Sequence, residues 1–457
     1  MRVAYIAAEA TPYSKVGGLA DVAGSLPQAL AAADNEVLLF TPNHHFVDLR
    51  KARPWRRSGR LCTRFRGAEH EISWFEETRT PSFRAILFES APYFPASVVY
   101  GMPNDLERYL LFCQAALETL KHLNWPPDII HLNDWHTGPI TFGIRNYAWR
   151  EDFYRNSTSF LTIHNLRYRG PDDFLDLLGP AIYYADAVGT VSKTYAREIL
   201  TREFGEGLDH LLRSRDDPVL GVLNGIDYEE FNPLTDSHIE CNFDREHLCD
   251  REGNKLALLE QFAISAQRSV PLAGMVTRIT EQKGLDLVCD AVAPLLRQGL
   301  LQFIILGEGD EHLIESLKGV AASFPTAFSV RIAMDEGCAR RVYAGSDLFL
   351  MPSRFEPCGL GQMIAMRYGA VPVVRHTGGL ADTVNDIDHG GTGFVFSKPD
   401  AHDFQAALSR AINAYHDSEH WRLIQQRCMA REFSWTTSAQ EYTQLYRALA
   451  SQKRGHL

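Results

Sequence analysis

The sequence predicts an α/β fold of two domains, each a doubly wound, mainly parallel sheet. Three observations carry this expectation. The chain has 457 residues, which at about 150 residues per domain admits three domains or two large ones. Short apolar or β-branched runs alternate with longer helical patterns from end to end, as strand–helix–strand units do. The alternation loosens once, into the polar and acidic stretch TDSHIECNFDREH at residues 235–247, and then restarts.

Taken in order, the first half offers strands at residues 3–8, 37–41, 83–89, 129–132, 159–163, 187–191 and 219–223. Several are apolar throughout, as strands covered on both faces are. Residues 105–125 carry apolar positions at helical spacing and are closed by Pro126-Pro127, which cannot continue a helix. The second half offers strands at 271–276, 302–306, 328–333, 348–351, 371–374 and 394–396, with helices at 284–297 and 360–368 between them. A last helical tract, 439–450, follows a break at Phe433-Ser434-Trp435. The expected domains are residues 1–240 and 247–435, with 436–457 as a C-terminal helix.

Composition narrows the function classes. Lys plus Arg number 46 and Asp plus Glu 57, a net charge of −11, which argues against nucleic acid or an anionic membrane as partner, since both need a broad basic surface. A local pocket for a small anion remains compatible. No run approaches the roughly 20 apolar residues of a membrane span. The opening MRVAYIAAE is ended by Glu9 too soon for a secretory leader and reads as a strand. Cysteines stand at 62, 113, 241, 249, 289, 338, 358 and 428 without a CxxC pair. In a chain this large the expectation is reduced thiols and a cytoplasmic location, not a disulfide framework or zinc site. The segment RKARPWRRSGR at 50–60 holds six basic residues and no acid; it reads as a solvated loop after the second strand more readily than as an anion patch.

Several motifs fall at predicted strand ends, where open α/β sheets bind ligands. Lys15-Val16-Gly17-Gly18-Leu19-Ala20-Asp21 follows the first strand and opens a helix. Adjacent glycines let the backbone approach a bound group, and a helix N-terminus offers free N–H donors to an anion. A second GGLAD, Thr377-Gly378-Gly379-Leu380-Ala381-Asp382, follows the strand at 371–374. Two such turns facing across an interdomain cleft would grip one phosphorylated ligand; a plain connecting turn is the bland alternative. Arg278 and Lys283 lie five residues apart around a turn, a planar fork and a point charge suited to one diphosphate. Pro352-Ser353-Arg354-Phe355-Glu356-Pro357-Cys358-Gly359-Leu360 sets a carboxylate ahead of a Gly-rich helix start, poised for ligand hydroxyls. Cys358 lacks a His–Asn/Asp pair nearby in sequence and is not expected to be a nucleophile. His131, Asp134 and His136 fit no common zinc spacing. Leu306-Gly307-Glu308-Gly309-Asp310 lacks the third glycine of a dinucleotide fingerprint and reads as a turn.

KVGGLADV, HLNDWHTG, TIHNL, LNGID, RITEQKGLDL, PSRFEPCGLGQM and RHTGGLADTV together resemble, in order and spacing, the motifs of bacterial glycogen synthases and plant starch synthases. The resemblance runs from residue 1 to about 450. It implies a retaining glycosyltransferase of family 5 with two Rossmann-like domains facing across a cleft, the glycosyltransferase-B fold. It implies transfer of glucose from a nucleoside diphosphate glucose, usually ADP-glucose, to the non-reducing end of an α-1,4-glucan. By matching position, Lys15, Gly17 and Gly18 would contact the donor, with Asp21 nearby. Arg278 and Lys283 would neutralise the diphosphate, and Thr377, Gly378 and Gly379 would offer it backbone donors. Glu356 would hold glucose hydroxyls, with Cys358, Gly359 and Leu360 beside it. Asp134 would face the transferred sugar, and His164 would sit over its reacting face.

No nucleophile is evident, so a front-face mechanism is expected, in which the departing phosphate takes the acceptor's proton. No metal and no cofactor are expected, because Arg and Lys carry the opposing charge; ADP-glucose is a substrate. The partners are the nucleoside diphosphate glucose and an α-glucan, with no nucleic acid and no membrane. Two departures bear on specificity. The segment 167–182 is shorter than is usual in the family, which raises a related glucosyltransferase with a smaller acceptor as an alternative. Met334 stands where the family commonly has an aromatic, a softer platform for a base, which admits UDP-glucose as donor. A nucleotide-sugar-binding protein with little turnover is the non-enzyme alternative, disfavoured by the intact charged set. Alanine at Glu356 or Lys283 is expected to cut turnover by orders of magnitude with the fold retained.

Overall fold

In the computed structural model, residues 1–44, 56–94, 98–146 and 151–455 are described. They form two units, Met1–Gly225 with Ser434–Leu457, and Ile226–Phe433.

The first unit holds β1 (Arg2–Ile6), β2 (Glu36–Pro42), β3 (Arg56–Phe65), β4 (Ala68–Thr80), β5 (Phe83–Glu89), β6 (Ile129–Asn133), β7 (Thr158–Ile163), β8 (Ala187–Thr190) and β9 (Leu220–Gly221). They make one sheet in the order β3-β4-β5-β2-β1-β6-β7-β8-β9. Pairing is parallel except for β3 with β4 and β4 with β5. β1 is buried on both faces. Ala4, Ile6 and Ala8 join one core with the helix Asp105–His122, while Val3, Tyr5 and Ala7 join another with the helix Gly18–Ala32. That double burial is why the strand is apolar throughout.

β3 and β4 escaped the sequence reading because RRSGRLCTRF and AEHEISWFEETRT mix apolar with charged residues, as half-solvated antiparallel strands do. The basic run at 50–60 therefore divides. Residues 50–55 lie outside the described residues, and 56–60 open a strand where a loop was expected.

The second unit holds β10 (Leu272–Val276), β11 (Gln302–Gly307), β12 (Phe328–Ile332), β13 (Leu348–Met351), β14 (Val371–Arg375) and β15 (Phe394–Phe396). The order is β12-β11-β10-β13-β14-β15, all parallel. Counted within the unit this is 3-2-1-4-5-6, the dinucleotide-binding order, whose switch point falls between the first and fourth strands. The first unit repeats it over β5-β2-β1-β6-β7-β8, with the switch between β1 and β6.

The expected boundary at 235–247 is corrected to 225/226. The polar stretch is not a linker, because the second unit's own side chains bind it. Tyr368 Oη donates to Asp236 Oδ2 at 2.5 Å, Arg340 pairs with Glu230 at 2.6 Å, and Asn254 Oδ1 accepts from the backbone of Glu240 and Cys241. Phe243 is buried beneath Arg251. At the other end the chain returns to the first unit at Ser434, two residues before the expected 436, and the C-terminal helix is Trp435–Gly455. Trp435, Ala439, Tyr442, Tyr446 and Ala450 form its buried stripe against Val3, Tyr5 and Ile129, a spacing of one helix face.

Tyr446 also meets His131 of β6, its hydroxyl 2.5 Å from Nδ1. Tyr446→Ala should therefore cost about 3–5 kcal/mol of stability through the lost ring. Tyr446→Phe should cost about 1–3 kcal/mol for the buried imidazole nitrogen left unpaired. Denaturant unfolding measures both; equal losses would contradict a separable hydrogen bond.

Candidate active site

In the first unit the site residues gather at the switch point. Beyond β1 the chain passes through Ala7 and Ala8 to Glu9, which is buried. Glu9 Oε2 accepts hydrogen bonds from the backbone N–H of Val16 at 2.6 Å and Gly17 at 3.2 Å. One carboxylate thus ties down the turn that carries Lys15, Gly17 and Gly18. Burial, opposed by those backbone bonds, pushes the Glu9 carboxyl up to about 7. Lys15 Nζ pairs with Asp21 Oδ1 at 2.7 Å, across the turn and onto the first turn of the helix.

At the end of β6, Asn133 and Asp134 hold His164, which follows β7. Asp134 Oδ1 accepts from His164 N at 2.7 Å, and Asn133 Oδ1 lies 2.8 Å from His164 Nε2. Asp134 adopts φ 54, a left-handed conformation that Asp tolerates better than most residues. Burial raises its carboxyl to about 7 and lowers His164 to about 3. Asp134 therefore pins the backbone at His164. The set His131, Asp134, His136 does not converge as metal ligands. Both His131 ring nitrogens are engaged, by Tyr446 Oη and by Thr162 Oγ1 at 2.8 Å.

In the second unit the loops after β10 and β13 meet at the other switch point. Lys283 Nζ lies 2.5 Å from Glu356 Oε2, and Ser353 Oγ donates to the same oxygen at 3.0 Å. Both charged side chains are mostly buried. Alanine at Lys283 would strand that carboxylate, at a cost of about 3–5 kcal/mol, so the expected clean loss of turnover applies to isosteric changes and not to truncation. Arg278 is exposed, and among the described residues its guanidinium has no ion-pair or hydrogen-bond partner. Met334 is 68% exposed beside the helix Glu336–Gly345.

The two GGLAD turns differ physically. A Cβ on Gly378 would lie 1.9 Å from Glu356 O, and one on Gly379 would lie 2.0 Å from Cys358 O. Gly379 N donates to Glu356 O at 3.0 Å. These glycines bring the Thr377 turn onto the backbone of the Glu356–Gly359 loop. Gly359 sits at φ 72, and Gln362 Nε2 ties the carbonyls of Cys358 and Gly359. Cys358 is buried and Leu360 partly so. In the first unit, by contrast, nothing among the described residues lies within 4 Å of a Cβ on Gly18. The room there is open.

Sequence reasoning missed Glu9, Asn133 and Arg375. The last lies at the end of β14, and its Nε donates to Ser353 O at 2.9 Å, steadying the loop that carries Glu356. The available signal was position alone, a polar residue at or just beyond the carboxyl end of a strand.

Gly379→Ala should destabilise the chain by about 1–3 kcal/mol, since backbone must part. Gly18→Ala should unfold as the wild type does, with no such loss; thermal unfolding separates the two. Glu9 gives a pH test. Its carboxyl titrates near 4.5 when unfolded and near 7 when folded, so the folded chain binds more protons between those values and this group's contribution to stability falls as pH rises. Relative to wild type, Glu9→Gln should gain about 2 kcal/mol between about pH 5 and about pH 8. A pH-independent difference in unfolding free energy would contradict a raised carboxyl.

Known proteins resemble this chain along its length. The family profile described as starch synthase catalytic domain matches residues 2–214, and that of glycosyl transferases group 1 matches 270–414. A glycogen synthase from Geotalea daltonii is 40% identical, covering 99% of this chain and 100% of that one. One from Desulforudis audaxviator is 37% identical, covering 98% and 96%. These alignments span 484 and 499 positions, so both relatives carry residues this chain of 457 lacks. The catalytic domain of starch synthase IV from Arabidopsis thaliana, solved with ADP and acarbose, superposes with TM-score 0.89 at 33% identity, covering 98% of this chain and 99% of that one. A sucrose-phosphate synthase from Thermosynechococcus elongatus, at 19% identity and TM-score 0.64 with 99% of each chain covered, shares the fold. With relatives matched along nearly its whole length, the chain belongs to the glycogen and starch synthase family of glycosyltransferases, on a two-domain glycosyltransferase-B fold.

Proposed function

We propose that this enzyme transfers glucose, with retention, from ADP-glucose to the non-reducing end of an α-1,4-glucan in the cytoplasm. The observation that carries the reading is the placement of Lys283, Glu356, Glu9, Asn133 and His164 at the switch points of two dinucleotide-type sheets, where such sheets bind ligands. Arg278 and Lys283 oppose the diphosphate as its leaving oxygen gains charge, with backbone N–H groups of Thr377, Gly378 and Gly379 beside it. Lys15, Gly17 and Gly18 take part in donor binding from the first unit, with Asp21 holding Lys15. Glu356 accepts from glucose hydroxyls once Lys283 is shared with phosphate. His164 faces the reacting sugar as a neutral ring, and Asp134 holds its backbone. The acceptor hydroxyl attacks from the leaving-group face, and its proton passes to the departing phosphate oxygen. Fixed cations supply the stabilisation that charge separation requires, so the step needs neither metal nor cofactor.

The shortened segment supports a second reading, a smaller acceptor. Ahead of the helix Leu178–Tyr184 it makes a turn in which Asp172 Oδ1 accepts from Phe174 N and Leu175 N, both at 2.9 Å, leaving Phe174 99% exposed. Incubation of the purified protein with ADP-glucose or UDP-glucose, and with glycogen, maltooligosaccharides or no acceptor, decides between them. Elongation of glycogen from ADP-glucose is expected. Elongation of small acceptors alone would select the second reading, and transfer from neither donor would overturn both.

A further inference from the structure

We propose that Asn133 is a positioning residue that fixes the ring and tautomer of His164, with the proton on Nε2 and the lone pair on Nδ1. The orientation of the Asn133 amide follows from its partners. Its Nδ2 lies 2.9 Å from the carbonyl of Ile6, and a carbonyl can only accept, so this end is the NH2. The other end, Oδ1, lies 3.1 Å from Tyr5 Oη and 2.8 Å from His164 Nε2. An amide oxygen cannot donate, so both neighbours must donate to it, and its two lone pairs are filled. His164 Nε2 therefore carries hydrogen. Asn133 is fully buried, and its own N–H donates to Thr137 Oγ1 at 2.6 Å, so neither its side chain nor its backbone has slack.

Burial favours a neutral ring at His164, and the polar groups around it are engaged elsewhere. Asp134 accepts from its backbone N–H. His131, held by Tyr446 and Thr162, is itself kept neutral by burial. Tyr5 is buried, with its hydroxyl spent on Asn133. The imidazole then offers one acceptor, Nδ1, and no positive charge. Beside a sugar carbon that becomes electron-poor, an imidazolium would oppose the reaction and a neutral ring does not. Only this consequence for turnover rests on the proposed function; the tautomer rests on the hydrogen bonds alone.

The test is nitrogen NMR of the full chain labelled at histidine, with the His164 signals identified by their loss in His164→Gln. The wild type should show neutral His164 with Nε2–H from about pH 6 to about pH 8. An Nδ1–H tautomer, or a rapidly exchanging mixture, would overturn the assignment, whether or not the protein transfers glucose. Asn133→Asp keeps the shape and adds a charge that favours imidazolium. It should lower kcat at neutral pH by about tenfold, change donor KM by less than about twofold, and regain rate as pH rises. A variant with wild-type kcat and an unmoved acid limb would overturn the positioning role.

Discussion

A parallel sheet covered on both faces leaves polar groups one place to gather, the loops beyond the strands' carboxyl ends. Everything specific in this chain follows from that constraint. β1 commits Val3, Tyr5 and Ala7 to one core and Ala4, Ile6 and Ala8 to the other, so the first residue free to be a carboxylate is Glu9. β6 likewise becomes available at Asn133 and Asp134, and β13 beyond Met351. The switch point in each sheet then spreads neighbouring loops apart and makes room among them.

Glu9, Asn133, Asp134 and Glu356, placed there, are buried, and buried polar groups must be satisfied. The chain does so with its own backbone and side chains. Glu9 takes the N–H groups of its own turn, Asn133 takes Ile6, Tyr5 and His164, and Glu356 takes Lys283 and Ser353. These side chains are thereby oriented before any ligand arrives, which is where electrostatic preorganisation draws its advantage. The C-terminal helix belongs to the same scheme, since Tyr446 fills the second nitrogen of His131 next to that network.

Most strands and the motif residues were legible in the sequence, because double burial writes itself as apolar runs and glycine pairs mark close approaches. What the glycines approach was not legible. GGLAD reads identically at both sites, yet Gly378 and Gly379 make way for the Glu356 and Cys358 carbonyls, while Gly18 has open space. The antiparallel strands β3 and β4 were hidden by their many charged residues. The unit boundary was hidden because Asp236 and Phe243 look like linker residues until Tyr368 and Arg251 are seen against them. Asn133 and Glu9 were hidden for a simpler reason: a single polar residue at a strand end carries no spacing.

The central claim is that residues prearranged at the strand ends act as one unit on the donor. A double-mutant cycle on kcat/KM for ADP-glucose, using Lys283→Gln, Glu356→Gln and the pair, tests it most directly. If the 2.5 Å pair works as a unit, each single change should cost nearly as much as both together. Losses that simply add, or single variants with wild-type rates, would contradict the account.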